Sequence, residues 1–125
     1  MIVKQIFLSR MANFAYLVGD EATRTAAVID PSFDPGKILA EAQDAGYTIT
    51  HLINTHGHAD HVSGNAAIIE ATGAALLIHE ADADQVTKFL NRALSRLMGG
   101  KGSPGASRLL QDKDIISIGQ TELSV

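Results

Sequence analysis

Residues 55–61 read Thr-His-Gly-His-Ala-Asp-His, which gathers three of the chain's five histidines and one aspartate into seven positions. In an extended segment side chains alternate, so His56 and His58 fall on one side and can offer two imidazole nitrogens to one ion. Asp60 continues that alternation. His61 follows where the chain turns into the next element, and a change of backbone direction there can aim Asp60 and His61 at a second ion beside the first. Nitrogen and carboxylate donors without sulfur make zinc the leading candidate and leave iron and manganese open. A catalytic zinc commonly takes three protein ligands plus water, so two donors per ion leave each site short.

The other titratable candidates are isolated. His79 follows the apolar run Ala-Ala-Leu-Leu-Ile and precedes an acidic stretch, which suits a strand-end or capping role; its alternative is a contact to substrate or to a metal-binding side chain. His51, on the strand that leads into the cluster, reads as structural. Asp30 ends Ala-Ala-Val-Ile-Asp before Pro31 and is either a turn residue or an acceptor that holds the other N–H of a metal-binding histidine.

Composition narrows the chemistry. There is no cysteine among the 125 residues, so disulfides, thiolate metal sites and cysteine nucleophiles are excluded and any metal must be held by His, Asp or Glu. The net charge of −4, without clustered Lys or Arg, argues against a nucleic-acid surface or a polybasic membrane patch and for a small-molecule substrate. With 46% apolar and 19% charged residues, the chain reads as one globular domain or part of one. No apolar run approaches the roughly 18 residues that span a bilayer, and the N-terminus lacks a signal peptide's long apolar stretch, so a cytoplasmic protein is expected.

Hydrophobic patterning supplies the elements that must position the cluster. Residues 2–8, 13–19 and 25–30 read as short strands in an antiparallel meander, with 19–24 as the turn before the third. Asp34 and Pro35 form an N-cap and first turn for a helix with Ile38, Leu39, Ala42 and Ala45 at helical spacing, stopped by Gly46. Residues 50–54 are a buried strand that delivers the chain into the histidine cluster. A helix within 63–73, closed by Gly73, and a strand over 74–79 complete a strand, helix, strand unit with the cluster at its first turn, the crevice where α/β proteins tend to bind ligands. A longer amphipathic helix is expected from Ala81 to Met98. The glycine-rich stretch 99–107 lacks the spacing of a phosphate-binding loop and reads as a flexible connector or a substrate-side loop. Residues 114–119 and 121–125 read as two strands joined at Gly119 and Gln120. The sequence stops within the last of these strands, as expected of a domain cut short.

The six residues His56, Gly57, His58, Ala59, Asp60 and His61 resemble the HxHxDH hallmark of the metallo-β-lactamase superfamily. The resemblance runs from the strand at 13–19 and the Val-Ile-Asp-Pro turn at 28–31, through residues 53–65, to the Ile-Ile-Ser-Ile-Gly strand. Within the superfamily the chain is most similar to glyoxalase II-like hydrolases, which cleave thioesters such as S-acylglutathione with a two-metal site. The resemblance implies an α/β fold, α+β in some schemes: an αββα sandwich of which residues 1–125 supply the first half and the start of the second. It implies two zinc ions in the complete domain, His56 and His58 on the first, Asp60 and His61 on the second, with Asp60 also orienting the attacking water. Three further ligands, a histidine for each site and a bridging aspartate, would lie beyond Val125. The absence of a nucleophilic cysteine or a GxSxG elbow agrees with hydrolysis that needs no covalent residue. The related persulfide dioxygenases, which use one iron held by two histidines and an aspartate, are an alternative in which His56 and His58 match two ligands. A third expectation is an inactive, truncated half-domain that pairs with another copy or with its missing half through an open sheet edge.

Overall fold

The structure, a computed structural model, describes residues 1–8, 13–32, 34–55, 64–82 and 106–125. Strands β1 (Ile2–Leu8), β2 (Asn13–Asp20) and β3 (Thr25–Ile29) form the expected antiparallel meander. Helix α1 (Pro35–Ala45) follows, and each of its ends has the cap the sequence announces. The Asp34 carboxylate accepts the Lys37 N–H at 3.2 Å, and Gly46 adopts the left-handed conformation with φ 80°, where a side chain would be strained.

The topology changes at β4 (Thr48–Asn54), which pairs parallel to β3. Helix α2 (Asn65–Thr72) carries the chain to β5 (Ala75–His79), parallel to β4, and β6 (Arg108–Leu110) adds in parallel on the far side of β5. The six-stranded sheet therefore runs β1-β2-β3-β4-β5-β6, and a separate hairpin, β7 (Ile115–Ile118) with β8 (Thr121–Ser124), turns through Gly119 and Gln120.

Two cores give the layers. Ile38 and Ala42 of α1 and Ile68 of α2 pack with Leu17, Val28, Leu52 and Leu76 on one face of the large sheet. On the opposite face, Ala27, Ile53, Leu77 and Leu110 pack against Ile116 and Ile118 of the hairpin. Helices, large sheet and second sheet are thus stacked in that order, the part of an αββα sandwich that the sequence leads one to expect.

A polar joint holds the hairpin in place. The Asp20 carboxylate, at the end of β2, accepts bonds from the Thr23 N–H at 3.1 Å and hydroxyl at 2.6 Å, and from the Thr121 hydroxyl at 2.8 Å. Gly119 closes over it: a Cβ there would lie 2.1 Å from Thr23 Oγ1 and 2.3 Å from Asp20 Oδ2, so only glycine fits the turn.

Several elements depart from expectation. Strand β4 begins at Thr48 rather than Thr50, and its pairing with β3 shifts register between Ala26 and Ala27. Ala26 pairs with Ile49 and Ala27 with His51, so Thr50 is the extra residue of a β-bulge. Ile49 and Leu52, three apart, consequently share the helix-side core. Strand β6 was not foreseen at all. Residues 80–82 form a 3₁₀ turn, and the remainder of the helix expected to Met98, with residues 99–105 of the connector, lies outside the described residues. No helix among the described residues is long and apolar enough to cross a membrane.

Candidate metal centre

His56, His58, Asp60 and His61 lie outside the described residues, and among the described residues no group of three His, Asp or Glu could hold a metal. The structure does show what holds the two ends of the segment that carries them. Strand β4 ends at Asn54, and Thr55 then stands on the wall of a cleft of about 520 Å³ at the C-terminal ends of the parallel strands. Ile53 and His79 share that wall, while Ile116 and Leu123 of the hairpin face them. A cleft at the ends of parallel strands, beside a strand-to-helix turn, is the position the fold offers to ligands.

The Asp30 carboxylate fixes the outgoing end. Its Oδ1 accepts the Thr55 backbone N–H at 2.9 Å and its Oδ2 accepts the Thr55 hydroxyl at 2.5 Å. The Asp30 N–H in turn donates to the Ile53 carbonyl at 3.0 Å. Asp30 has φ 53° and Ser32 φ 54°, left-handed values that non-glycine residues adopt only when the surroundings compel them. Both are buried. The strained turn at residues 30–32 thereby aims a carboxylate at the residue before His56. The structure shows the Asp30 carboxylate on Thr55; the bond to a metal-binding histidine that the sequence also allows involves residues outside those described.

The returning end is held by the same turn. A Cβ on Gly64 would lie 2.5 Å from the Ser32 carbonyl oxygen and 3.3 Å from Pro31 Cβ, so the chain re-enters against Pro31 and Ser32 with no room for a side chain. One residue further, Asn65 opens α2 and meets Asn54 in a reciprocal amide pair. Asn54 Nδ2 donates to Asn65 Oδ1 at 3.2 Å, and Asn65 Nδ2 donates to Asn54 Oδ1 at 2.6 Å. Both side chains are buried, where unpaired amides would be costly. Sequence reasoning passed over these two asparagines; their signal is only that one precedes the cluster and one follows it.

His79 makes the capping bond expected at a strand end while it also lines the cleft, and His51 is tied to its neighbour on β4. His79 Nδ1 accepts the Ala81 N–H at 3.1 Å, which caps the 3₁₀ turn and leaves Nε2 to carry the proton toward Asp112 Oδ1, 3.3 Å away. His51 Nδ1 lies 2.8 Å from the Thr50 hydroxyl. Burial, reinforced by the positive charge of Arg108, pushes the His51 pKa below the usual histidine range.

The family model "Metallo-beta-lactamase superfamily" matches residues 9–121. The hydroxyacylglutathione hydrolase of Rhodospirillum rubrum is 39% identical over 114 residues, which is 90% of this chain and 37% of that protein. The chain therefore spans little more than a third of that relative's length. Among solved structures, the BLEG-1 B3 metallo-beta-lactamase superposes with TM-score 0.82 at 22% identity, over 98% of this chain and 59% of that one. ETHE1 from Myxococcus xanthus superposes with TM-score 0.74 at 28% identity, over 98% of this chain and 46% of that one. With the helix, sheet, sheet layering and the HxHxDH sequence leaving the end of β4 at the cleft, these likenesses agree: the chain belongs to the metallo-β-lactamase superfamily.

Proposed function

We propose that the protein acts as a glyoxalase II-like hydrolase of thioesters with a two-zinc site. The observation that carries this reading is the HxHxDH sequence, two residues beyond the buried end of β4, in a chain 39% identical to a hydroxyacylglutathione hydrolase over 114 residues. The donors fit the group: imidazoles and a carboxylate, with no thiolate in the chain, are the set that zinc accepts, and they also suit iron or manganese. When bound, such ions supply water activation at neutral pH and polarise the carbonyl under attack.

The chain's own residues divide the work. His56 and His58 would hold one ion, and Asp60 and His61 the other. Asp60 also orients the attacking water. Asp30, with both oxygens on Thr55, keeps the strand end still while the ligands engage. The apolar side chains of Ile53, Ile116 and Leu123 line the cleft beside Thr55 and limit the access of bulk water.

Asp60→Ala in the full-length protein tests the reading. Hydrolysis of an S-acylglutathione should be abolished while the far-UV circular dichroism is unchanged; full activity in the variant overturns the assignment. The likeness to ETHE1 supports a second reading, an iron-dependent persulfide dioxygenase. Elemental analysis and oxygen consumption with glutathione persulfide separate the two: zinc without oxygen uptake favours the hydrolase, iron with oxygen uptake the dioxygenase. For partners, we propose self-association through the β1 edge, supported by exposed Val3, Phe7 and Phe14, and sedimentation of the purified protein as a monomer would remove it.

A further inference from the structure

We propose that Asn54 and Asn65 are positioning residues whose amide pair sets the span of the metal-binding segment, so that its donors are spread correctly before any ion arrives. The inference rests on the reading of His56, His58, Asp60 and His61 as ligands. It starts from placement. Asn54 is the last residue of β4 and Asn65 the first of α2, so the pair bridges the residues at which the segment leaves one element and enters the next. A pair needed only to pack helix on strand could sit anywhere along the two elements; this one closes the neck.

The chemistry of the pair suits that task. Each planar amide both donates and accepts, at 3.2 and 2.6 Å, so the two bonds together fix separation and relative orientation, which a single bond would not. Both side chains are buried, Asn54 3% and Asn65 0% exposed, and a hydrogen-bonded pair in a low-dielectric interior is rigid and hard to exchange for water. The pair is also uncharged. A carboxylate at either position would place a further anion next to the ligands, whereas the amides constrain the backbone without adding charge. Gly64, seated against Ser32 and Pro31, removes slack from the returning side. The cost of fixing the segment's two ends is thus met when the protein folds rather than when the ion binds, which is how preorganisation raises affinity.

The test measures metal rather than turnover. Asn65→Ala removes the pair. Asn65→Asp keeps the outline of the side chain and the acceptor for Asn54 Nδ2, but loses the donor and sets a carboxylate oxygen against Asn54 Oδ1. Thr121→Val, which removes a hydroxyl bond to Asp20 far from the segment, controls for a general loss of stability. Zinc affinity of each full-length variant is measured by competition with a chromophoric chelator, and the cobalt-substituted forms are compared by their visible d–d spectra. Both Asn65 variants should bind zinc about tenfold or more weakly and show shifted cobalt bands, and Thr121→Val should leave both unchanged. Wild-type affinity and spectrum in both Asn65 variants, or a loss in Thr121→Val as large as theirs, overturns the proposal. His58→Ala separates the two levels of argument. If it keeps metal as well as wild type, the ligand reading has failed and the clamp with it; if it loses metal while the Asn65 variants do not, the clamp alone has failed.

Discussion

Asp30 grips Thr55 with both carboxylate oxygens at once, one on the backbone N–H at 2.9 Å and one on the hydroxyl at 2.5 Å. Two bonds to one buried carboxylate make this turn a fixed point of the fold. Asp30→Asn keeps the shape but must either turn its NH₂ group toward a donor or give up one bond. A loss of about 1.5–3 kcal/mol is expected, the usual worth of a hydrogen bond to a charged group. Thermal denaturation reads it directly, and a melting temperature equal to wild type would show that Thr55 does not depend on the carboxylate.

Gly64→Ala should destabilise the protein through space rather than backbone freedom, since Gly64 has an ordinary φ of −92°. The added methyl would lie 2.5 Å from the Ser32 carbonyl, and overpacking of this kind costs about 1–3 kcal/mol. Gly36→Ala is the matched contrast. Its Cβ would meet nothing nearer than Asp34 Oδ1 at 3.9 Å, and it lies in the first turn of α1, where alanine is the better helix former. Urea denaturation of the two variants should move in opposite directions.

The joint at Asp20 gives the fold an acid limit. The Thr23 hydroxyl first, and the Thr121 hydroxyl second, hold the Asp20 carboxyl down to a pKa of about 2. The unfolded chain takes up this proton near pH 4, so between about pH 4 and about pH 2 it binds more protons than the folded one. The stabilisation is complete above that window and is lost as pH falls through it. Asp20→Asn should therefore be less stable than wild type at neutral pH, with the gap closing toward about pH 2. A gap that does not change with pH would show that the carboxylate's charge contributes nothing.

His51 acts in the same direction at higher pH. Burial, then Arg108, lowers its pKa in the folded state, so as pH falls below about 6.5 the unfolded chain is the first to protonate. Stability should decline there in wild type and decline less in His51→Gln, with the two curves parallel above that range. Chemical denaturation across pH measures the difference.

How far the sequence could be read depended on how local each cause is. The caps of α1 were legible because Asp34, Pro35 and Gly46 act on their immediate neighbours. The β7–β8 hairpin was legible through its alternation and Gly119. Strand β6 was not, because the three residues Arg108, Leu109 and Leu110 are too few to display a period and become a strand only beside β5. Of the site, the HxHxDH sequence stood out by residue type and spacing, and its residues lie outside the described ones. The residues that hold the segment's ends were harder to see. Asp30 could be suspected as one of two possibilities, while Asn54 and Asn65, eleven positions apart, meet only because strand and helix fold back on each other.

The bulge at Thr50 settles the parity of everything downstream on β4. Were Thr50 to take its place in a regular strand, strict alternation from Ile49 would turn Ile53 toward the helices and Asn54 toward the β7–β8 hairpin. With the bulge, Ile53 packs with Ile116 and Ile118 while Asn54 reaches Asn65 on the helix side. A one-residue deletion at Thr50 would thus remove the bulge and leave Ile53 and Asn54 on these faces, whereas straightening the strand with every residue kept would exchange an aliphatic side chain for an amide in each of the two layers. The address of the proposed metal-binding segment is written in the counting of residues upstream of it, as firmly as in the histidines themselves.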